Sequence, residues 1–345
     1  MTKAAELAKM GEVLTNSQIG GRRNIVINGA MNVAQRGTSF TSVAGSAYHL
    51  DRYRTGMGDT SARFTVTQAT AGLNGFGNSL KYDCTTAESS LSNADARLFV
   101  TQRIEGQNLQ QLKKGTSDAE KVTVSFYVKG NASATYMCEL QDSDNSRTNG
   151  QTFAVTTSWN RIVLTFVGDT TGALDNDNAL SFRLNFWFHS GSTYNGGTFT
   201  SNQWTGTANE RVGSITSFFD STDRTFFLTG VQLEVGSQAT PFEHRSFGEE
   251  LRLCKRYFET LPSGGKVFFG LNSNSSFSAY SNANVIFKVE KRANPTITAT
   301  TSGNSGNAIS SYSTVDISTW GFIGSGNAQA NDAFFLNAFT ADSEL

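Results

Sequence analysis

The chain has 345 residues, with 28 Lys plus Arg against 29 Asp plus Glu; a formal net charge of −1 carries no field that would gather nucleic acid or an anionic membrane surface. Charged residues make up 17%, against about 25% in an average soluble domain, and Ser, Thr, Asn and 33 Gly take their place, the mixture that short strands and tight turns require. The length allows a sizeable core, 26 Phe promise one packed with large rings, and no apolar run approaches the roughly 20 residues of a membrane helix, so we expect no helical membrane insertion.

Residues 2–14 are good helix formers without proline, and Ala4, Leu7, Gly11 and Leu14 fall at the a/d spacing of a coiled-coil seam. Two heptads with Ala and Gly in the seam are too weak to stand alone. The expected role is therefore bundling with copies of itself, as a homotrimer, or docking on a neighbouring protein. The alternative is a frayed terminus. Lys3 leads into an alanine-rich polar stretch and not an apolar core, so no secretory leader is expected. Three widely spaced cysteines, Cys84, Cys138 and Cys254, form no CxxC pair or zinc spacing and read as buried thiols.

Asn24 to Thr38 predicts a short strand and a turn at Asn28-Gly29, followed by a second strand near Tyr48-His49-Leu50-Asp51-Arg52-Tyr53. Asp51, between basic neighbours, reads as an ion pair and not as a catalytic acid. From 97 to 245 the pattern alternates. Val122, Val124, Phe126 and Val128 take one face of a strand, as do Ile162, Leu164 and Phe166 of another. Phe182, Leu184, Phe186 and Phe188 face the core of a third, leaving Arg183, Asn185, Trp187 and His189 on its opposite face. The apolar phase of 225–235 changes at Gly230, which predicts a β-bulge. Ser246 to Glu249 form a capping box for a helix to about Glu259, with Phe247, Leu251, Cys254 and Phe258 on one stripe expected to pack on the sandwich. Short strands return after Pro262. The fold class expected is mainly β: an antiparallel jelly-roll sandwich at 23–245, after an N-terminal helix and linker at 1–22, and before a helix plus small β unit at 246–345.

Several of these segments resemble one family. The patches NGAMNVAQRGTS, HLDRY, RIEGQNLQQLKKGTSDAEKVTVSFYVKG, TGVQLEVGSQATPFEHRS, EELRLCKRYF, RANPTIT and the closing ADSEL, in this order, are similar to those of tailed-bacteriophage tail-fibre and minor virion structural proteins with a carbohydrate-binding-module-like jelly roll. The resemblance implies a virion protein assembled in the host cytoplasm. Its N-terminus would attach it to other phage tail or virion proteins, and its sandwich would bind host cell-surface glycan. A head fibre, decoration or tail adaptor protein making only protein contacts is the alternative within the particle; a glycan depolymerase is the alternative from another class.

No HExxH, nucleophile elbow or Walker loop is present, the three histidines sit on separate segments, and no Asp or Glu stands out from turn and cap positions, so a binding protein without cofactor is expected, not an enzyme. The turns at Asp142–Asn145 and Asp175–Asn178 offer oxygen ligands of the kind calcium takes, but lack the Gly and closing Glu of an EF-hand loop; side chains bonded to their own backbone, as is usual for such residues in turns, are the expected reading. For sugar binding the candidate surface is Trp187 with Arg183, Asn185 and His189, joined by Tyr127 and Gln141 if their strands are neighbours: a ring would stack on the sugar while amides and charges meet hydroxyls. The alternative is a Trp187 covered by the N-terminal segment, the C-terminal unit or another subunit.

Overall fold

A computed structural model of the chain describes residues 2–5, 23–88, 93–261, 267–271, 279–303, 310–328 and 333–345, which group into two units, Met1–Arg245 and Ser246–Leu345. Lys3 to Ala5 are helical; Leu7, Gly11 and Leu14 of the expected seam lie outside the described residues.

The first unit is an antiparallel sandwich of jelly-roll type. Along the chain run β1 (Ser39–Val43), β2 (Ala47–Tyr48), β3 (Arg54–Gly58), β4 (Arg63–Leu73), β5 (Phe76–Thr86), β6 (Arg97–Glu105), β7 (Val122–Gly130), β8 (Ala134–Asp142), β9 (Arg147–Val155), β10 (Asn160–Phe166), β11 (Leu180–Ser190) and β12 (Thr225–Val235). They form two six-stranded sheets, β1-β4-β5-β12-β7-β10 and β2-β3-β6-β11-β8-β9. The inward positions are those the alternation predicts. Val124, Phe126 and Val128 of β7 and Leu184, Phe186 and Phe188 of β11 are all buried. The phenylalanines interlock edge to face, Phe126 against Phe186 at 4.9 Å between ring centres and 80°.

The chain from Asn24 to Met31 is not the expected strand. It is a fixed coil laid on β12: Ile25 N donates to the Leu233 carbonyl, Val231 N to the Gly29 carbonyl, and Asn24 Nδ2 to the Val231 carbonyl at 3.0 Å. Gly29 is required there, since a Cβ would lie 2.1 Å from the Val231 carbonyl oxygen. Asn28, at φ +61°, closes the coil through its amide, which bonds both N and O of Val33. Asp51 is buried and its carboxylate accepts from Gln35 N and Nε2, each at 2.6 Å, while Arg52 donates to the Arg103 carbonyl. Gly230 has φ +62° and the β12–β7 register slips between Thr229 and Gln232, the expected bulge.

In the second unit Ser246 caps a helix by accepting from Glu249 N at 3.3 Å. The helix ends at Lys255, and Phe258 belongs to β13 (Phe258–Leu261), so the stripe to Glu259 does not form. Glu250 and Cys254 are its buried residues, whereas Phe247 is 59% exposed. β13, β14 (Val267–Leu271), β16 (Thr296–Gly303) and β19 (Ala333–Asp342) make one sheet; β15 (Ala279–Ile286), β17 (Ser310–Val315) and β18 (Gly321–Ala328) make another. Val285, Phe287, Phe322, Leu336 and Phe339 are buried together. All three cysteines are buried. Among the described residues no helix is long and apolar enough to cross a membrane.

Candidate functional site

The outer face of the second sheet brings together most of the residues singled out on β11, and the register says how. Gly56, Phe99, Trp187 and Met137 stand side by side across β3, β6, β11 and β8. Two residues along on the same face come Arg54, Thr101, Asn185 and Glu139, and two further on Arg103, Arg183 and Gln141. Gln141 is thus the direct neighbour of Arg183. Tyr127 is not: β7 belongs to the other sheet, where its ring packs on Phe76 at 5.2 Å.

Trp187 is not an open platform. It is fully buried with Phe99, Met137 and Val212, and Tyr194, Phe199 and Ile215 pack on them. The cover is the sandwich's own segment between β11 and β12, which starts as a short helix α1 (Ser192–Asn195). Backbone bonds pin that segment down: Val212 N to the Tyr194 carbonyl, Thr205 and Thr148 to each other, Thr216 N to the Thr135 carbonyl, Phe218 N to the Phe188 carbonyl. His189 lies beyond a slip in the β11–β6 register, buried, with Nδ1 2.9 Å from Ser217 Oγ and its ring 5.8 Å from Phe219. Burial drives its pKa down to about 4. It takes no part in a surface with Arg183.

Between the covered and uncovered rows sits Glu139, fully buried. Arg211, from the covering segment, grips it with Nε at 2.6 Å from one oxygen and a terminal nitrogen at 3.0 Å from the other. Trp187 Nε1 donates to it at 2.9 Å and Asn185 Nδ2 at 2.7 Å. The same guanidinium lies 5.1 Å from the Trp187 ring and bonds Gln141 Oε1 at 2.7 Å. Burial alone would depress Arg211; the charge and hydrogen bonds of Glu139 outweigh it and leave its pKa raised.

The uncovered part of the face, Arg54 together with the row of Arg103, Arg183 and Gln141, is half-buried and cationic. Burial lowers the pKa of Arg54, with Arg103 adding to the effect. Arg183 falls to about 10, through burial first and then through Arg103, Arg211 and Arg54, against which Glu139 acts. Beneath them the buried Asn185 Oδ1 and Thr101 Oγ1 have no hydrogen-bond partner. Sequence reasoning missed Arg54, Arg103, Arg211 and Glu139. The alternation of β6 and β8 could have placed Arg103 and Glu139 on the outer face, but which strand lies beside β11 is a property of topology, and Arg211 comes from a segment without periodicity.

The Asp-rich turns are closed on themselves. Asp142 accepts from Asn145 N and Nδ2 and pairs with the buried Lys114 at 2.5 Å; Asp144 Oδ2 accepts from Asp175 N and Asp177 Oδ1 from Ala179 N. Among the described residues no group of three His, Cys, Asp or Glu is arranged to hold a metal ion.

No family model and no curated protein matches the chain. Among the solved structures its fold is similar to are carbohydrate-binding modules. A structure titled "CBM4 structure and function" is 13% identical with a TM-score of 0.33, covering 60% of this chain and 97% of that one. TmCBM61 in complex with β-1,4-galactotriose is 10% identical with a TM-score of 0.32, covering 62% and 99%. A putative sugar binding protein from Bacteroides thetaiotaomicron is 12% identical with a TM-score of 0.33, covering 62% and 100%. Likenesses of this size assign neither a ligand nor a binding residue to this chain.

Proposed function

We propose that the protein binds glycan without catalysis as part of a bacteriophage particle, as a tail fibre or receptor-binding protein. The observation that carries the sugar reading is the uncovered row on the second sheet. Arg54, Arg183 and Gln141 stand half-buried on hydrogen-bonded strands, over the unpartnered Asn185 Oδ1 and Thr101 Oγ1. Polar groups held by rigid strands lose little entropy when hydroxyls arrive. Trp187 supports this surface from below through Glu139 and Arg211 and offers no stacking ring.

Glycoside cleavage uses two carboxylates flanking the bond. Glu139, the carboxylate beside this row, is fully buried and engaged by four N–H donors, which favours binding over depolymerisation. The particle role rests on the ordered sequence patches. It includes a homotrimer assembled in the host cytoplasm and attached to other virion proteins through the N-terminal helix, where several weak sites would gain avidity.

Purified full-length protein should bind at least one polysaccharide in a panel of bacterial surface glycans, release no reducing ends, and lose binding when Arg54→Ala and Gln141→Ala are combined. Release of reducing ends would make it a depolymerase. Absence of all binding would leave a head fibre, decoration or adaptor protein. Native mass measurement checks the trimer, and a monomer at micromolar concentration sinks it.

A further inference from the structure

The charge on the uncovered row exceeds what a neutral sugar asks for. Arg103 and Arg183 are directly opposite each other on neighbouring strands, a placement at which like charges repel. Arg54 and Arg211 add two more guanidiniums to the set acting on Arg183, against one carboxylate, Glu139. That carboxylate already receives Arg211, Asn185 and Trp187. Glu105, two residues beyond Arg103, is buried and accepts from Gln107 Nε2.

Among the described residues the Arg54 guanidinium has no hydrogen-bond or ion-pair partner, and that of Arg183 makes one hydrogen bond, from Nε to Ser143 Oγ at 3.2 Å. Guanidinium forks left without a partner match a planar carboxylate held through two parallel hydrogen bonds. The floor adds a different demand. Asn185 Oδ1 is a buried acceptor without a donor from the protein, which a hydroxyl close to the anionic group of a ligand would satisfy. A bare inorganic anion supplies no such donor; a sugar acid supplies both.

We infer that this row binds the carboxylate of an acidic sugar, such as a uronic acid residue of a polyanionic surface glycan, with Arg54 and Arg183 on the carboxylate and Asn185 and Thr101 on a neighbouring ring hydroxyl. The inference rests on the glycan-binding reading and narrows it to acidic polymers.

The test uses the full-length protein at physiological salt, with hyaluronan, alginate and polygalacturonate, the carboxyl-reduced form of each, a glycerol-phosphate polymer and neutral dextran. At least one uronate polymer should bind about tenfold or more tighter than its reduced form. Arg183→Gln, and separately Arg54→Gln, should each weaken that binding about tenfold, the scale of one lost charge-assisted hydrogen bond. Lys81→Gln with Lys129→Gln, on the other sheet, should leave it unchanged. Equal binding of the reduced polymers, or wild-type affinity in both arginine variants, overturns the acidic assignment while leaving glycan binding standing. Binding of the phosphate polymer with none of the uronates overturns it in favour of a phosphate-bearing glycan. No binding of any polymer overturns it together with the glycan reading.

Discussion

The two halves of the second sheet's outer face are built by the same strands within a few residues of each other, yet they have opposite fates. At Phe99, Trp187 and Met137 the face is apolar and shut by the chain's own covering segment; at Arg103, Arg183 and Gln141 it is cationic and half open. Glu139 and Arg211 form the seam between them. A large ring on an outward position therefore marked the place where the fold adds a third layer, and the part of the face left half open lies in the row beside it. Burial of apolar area favours covering Trp187, whereas covering several guanidiniums would cost desolvation energy.

The comparison breaks most visibly at its closed end. Trp187→Ala should destabilise the protein by about 3–5 kcal/mol, as other large aromatic truncations in cores do, because the ring is fully buried and its indole N–H bonds Glu139. Denaturant unfolding measures this; a variant that unfolds like the parent would mean the ring is in water after all.

At the seam, Glu139→Gln removes the counter-charge of Arg211 without changing shape. The half-buried guanidinium then loses its counter-charge while still acting on Arg183, and a loss of about 3 kcal/mol is expected. The same unfolding curves test it, and a loss below a few tenths of a kcal/mol would show that solvent already screens the pair.

Acid separates the halves next. His189, under the cover, and His49, bonded to Thr55 Oγ1, both have pKa values driven to about 4 by burial, from an ordinary 6.5. The unfolded chain thus binds more protons between these values. Stability is full above pH 6.5 and falls as pH drops toward 4, by about 2–3 kcal/mol per histidine once both limits are passed. Asp51, raised by burial, acts in the opposite direction. The unfolding midpoint should fall between pH 7 and 4.5, and His189→Gln should lessen the fall. Arg183 of the open half, near 10, does not titrate in this range, so an equal fall in the variant would place the sensitivity elsewhere.

The smallest effect has the reverse sign. Burial first, and then the neighbouring arginines, hold Arg183 near pKa 10 in the folded protein, so its charge opposes folding at every pH below that, and the penalty lifts only as pH rises through 10. Arg183→Gln should raise stability by about 1 kcal/mol after allowing for its partial exposure. A variant that is more stable but binds less is what a functional arginine produces; one that is less stable would mark Arg183 as structural.

Much of this was legible in residue order. Side-chain alternation assigned Val124, Phe126, Phe186 and Phe188 to the core and put Arg183, Asn185 and Trp187 on the opposite face. Gly230 announced its bulge through the phase change, and Ser246 its cap. These are local consequences of a period of two in a strand and of unsatisfied N–H groups at a helix start. Other readings depended on contacts between distant segments. Asn24 to Met31 has the residues of a strand, but its backbone bonds go to β12 and to the Asn28 side chain. The helix stripe ending at Phe258 was periodic, yet the chain turns into β13 first.

What the sequence by itself determined is the β architecture, the face on which each strand residue stands, and the near absence of net charge, because all three follow from the order and identity of neighbouring side chains. Only the tertiary structure decided that β6 and β8 flank β11, so that Arg103 meets Arg183 and Gln141 joins them while Tyr127 is carried to the other sheet. It also decided that the segment from α1 to Val212 folds back over Trp187. Strand order and loop placement are set by the sum of many long-range contacts, each weak in sequence. For that reason a face could be read residue by residue, while whether it was open to a ligand could not.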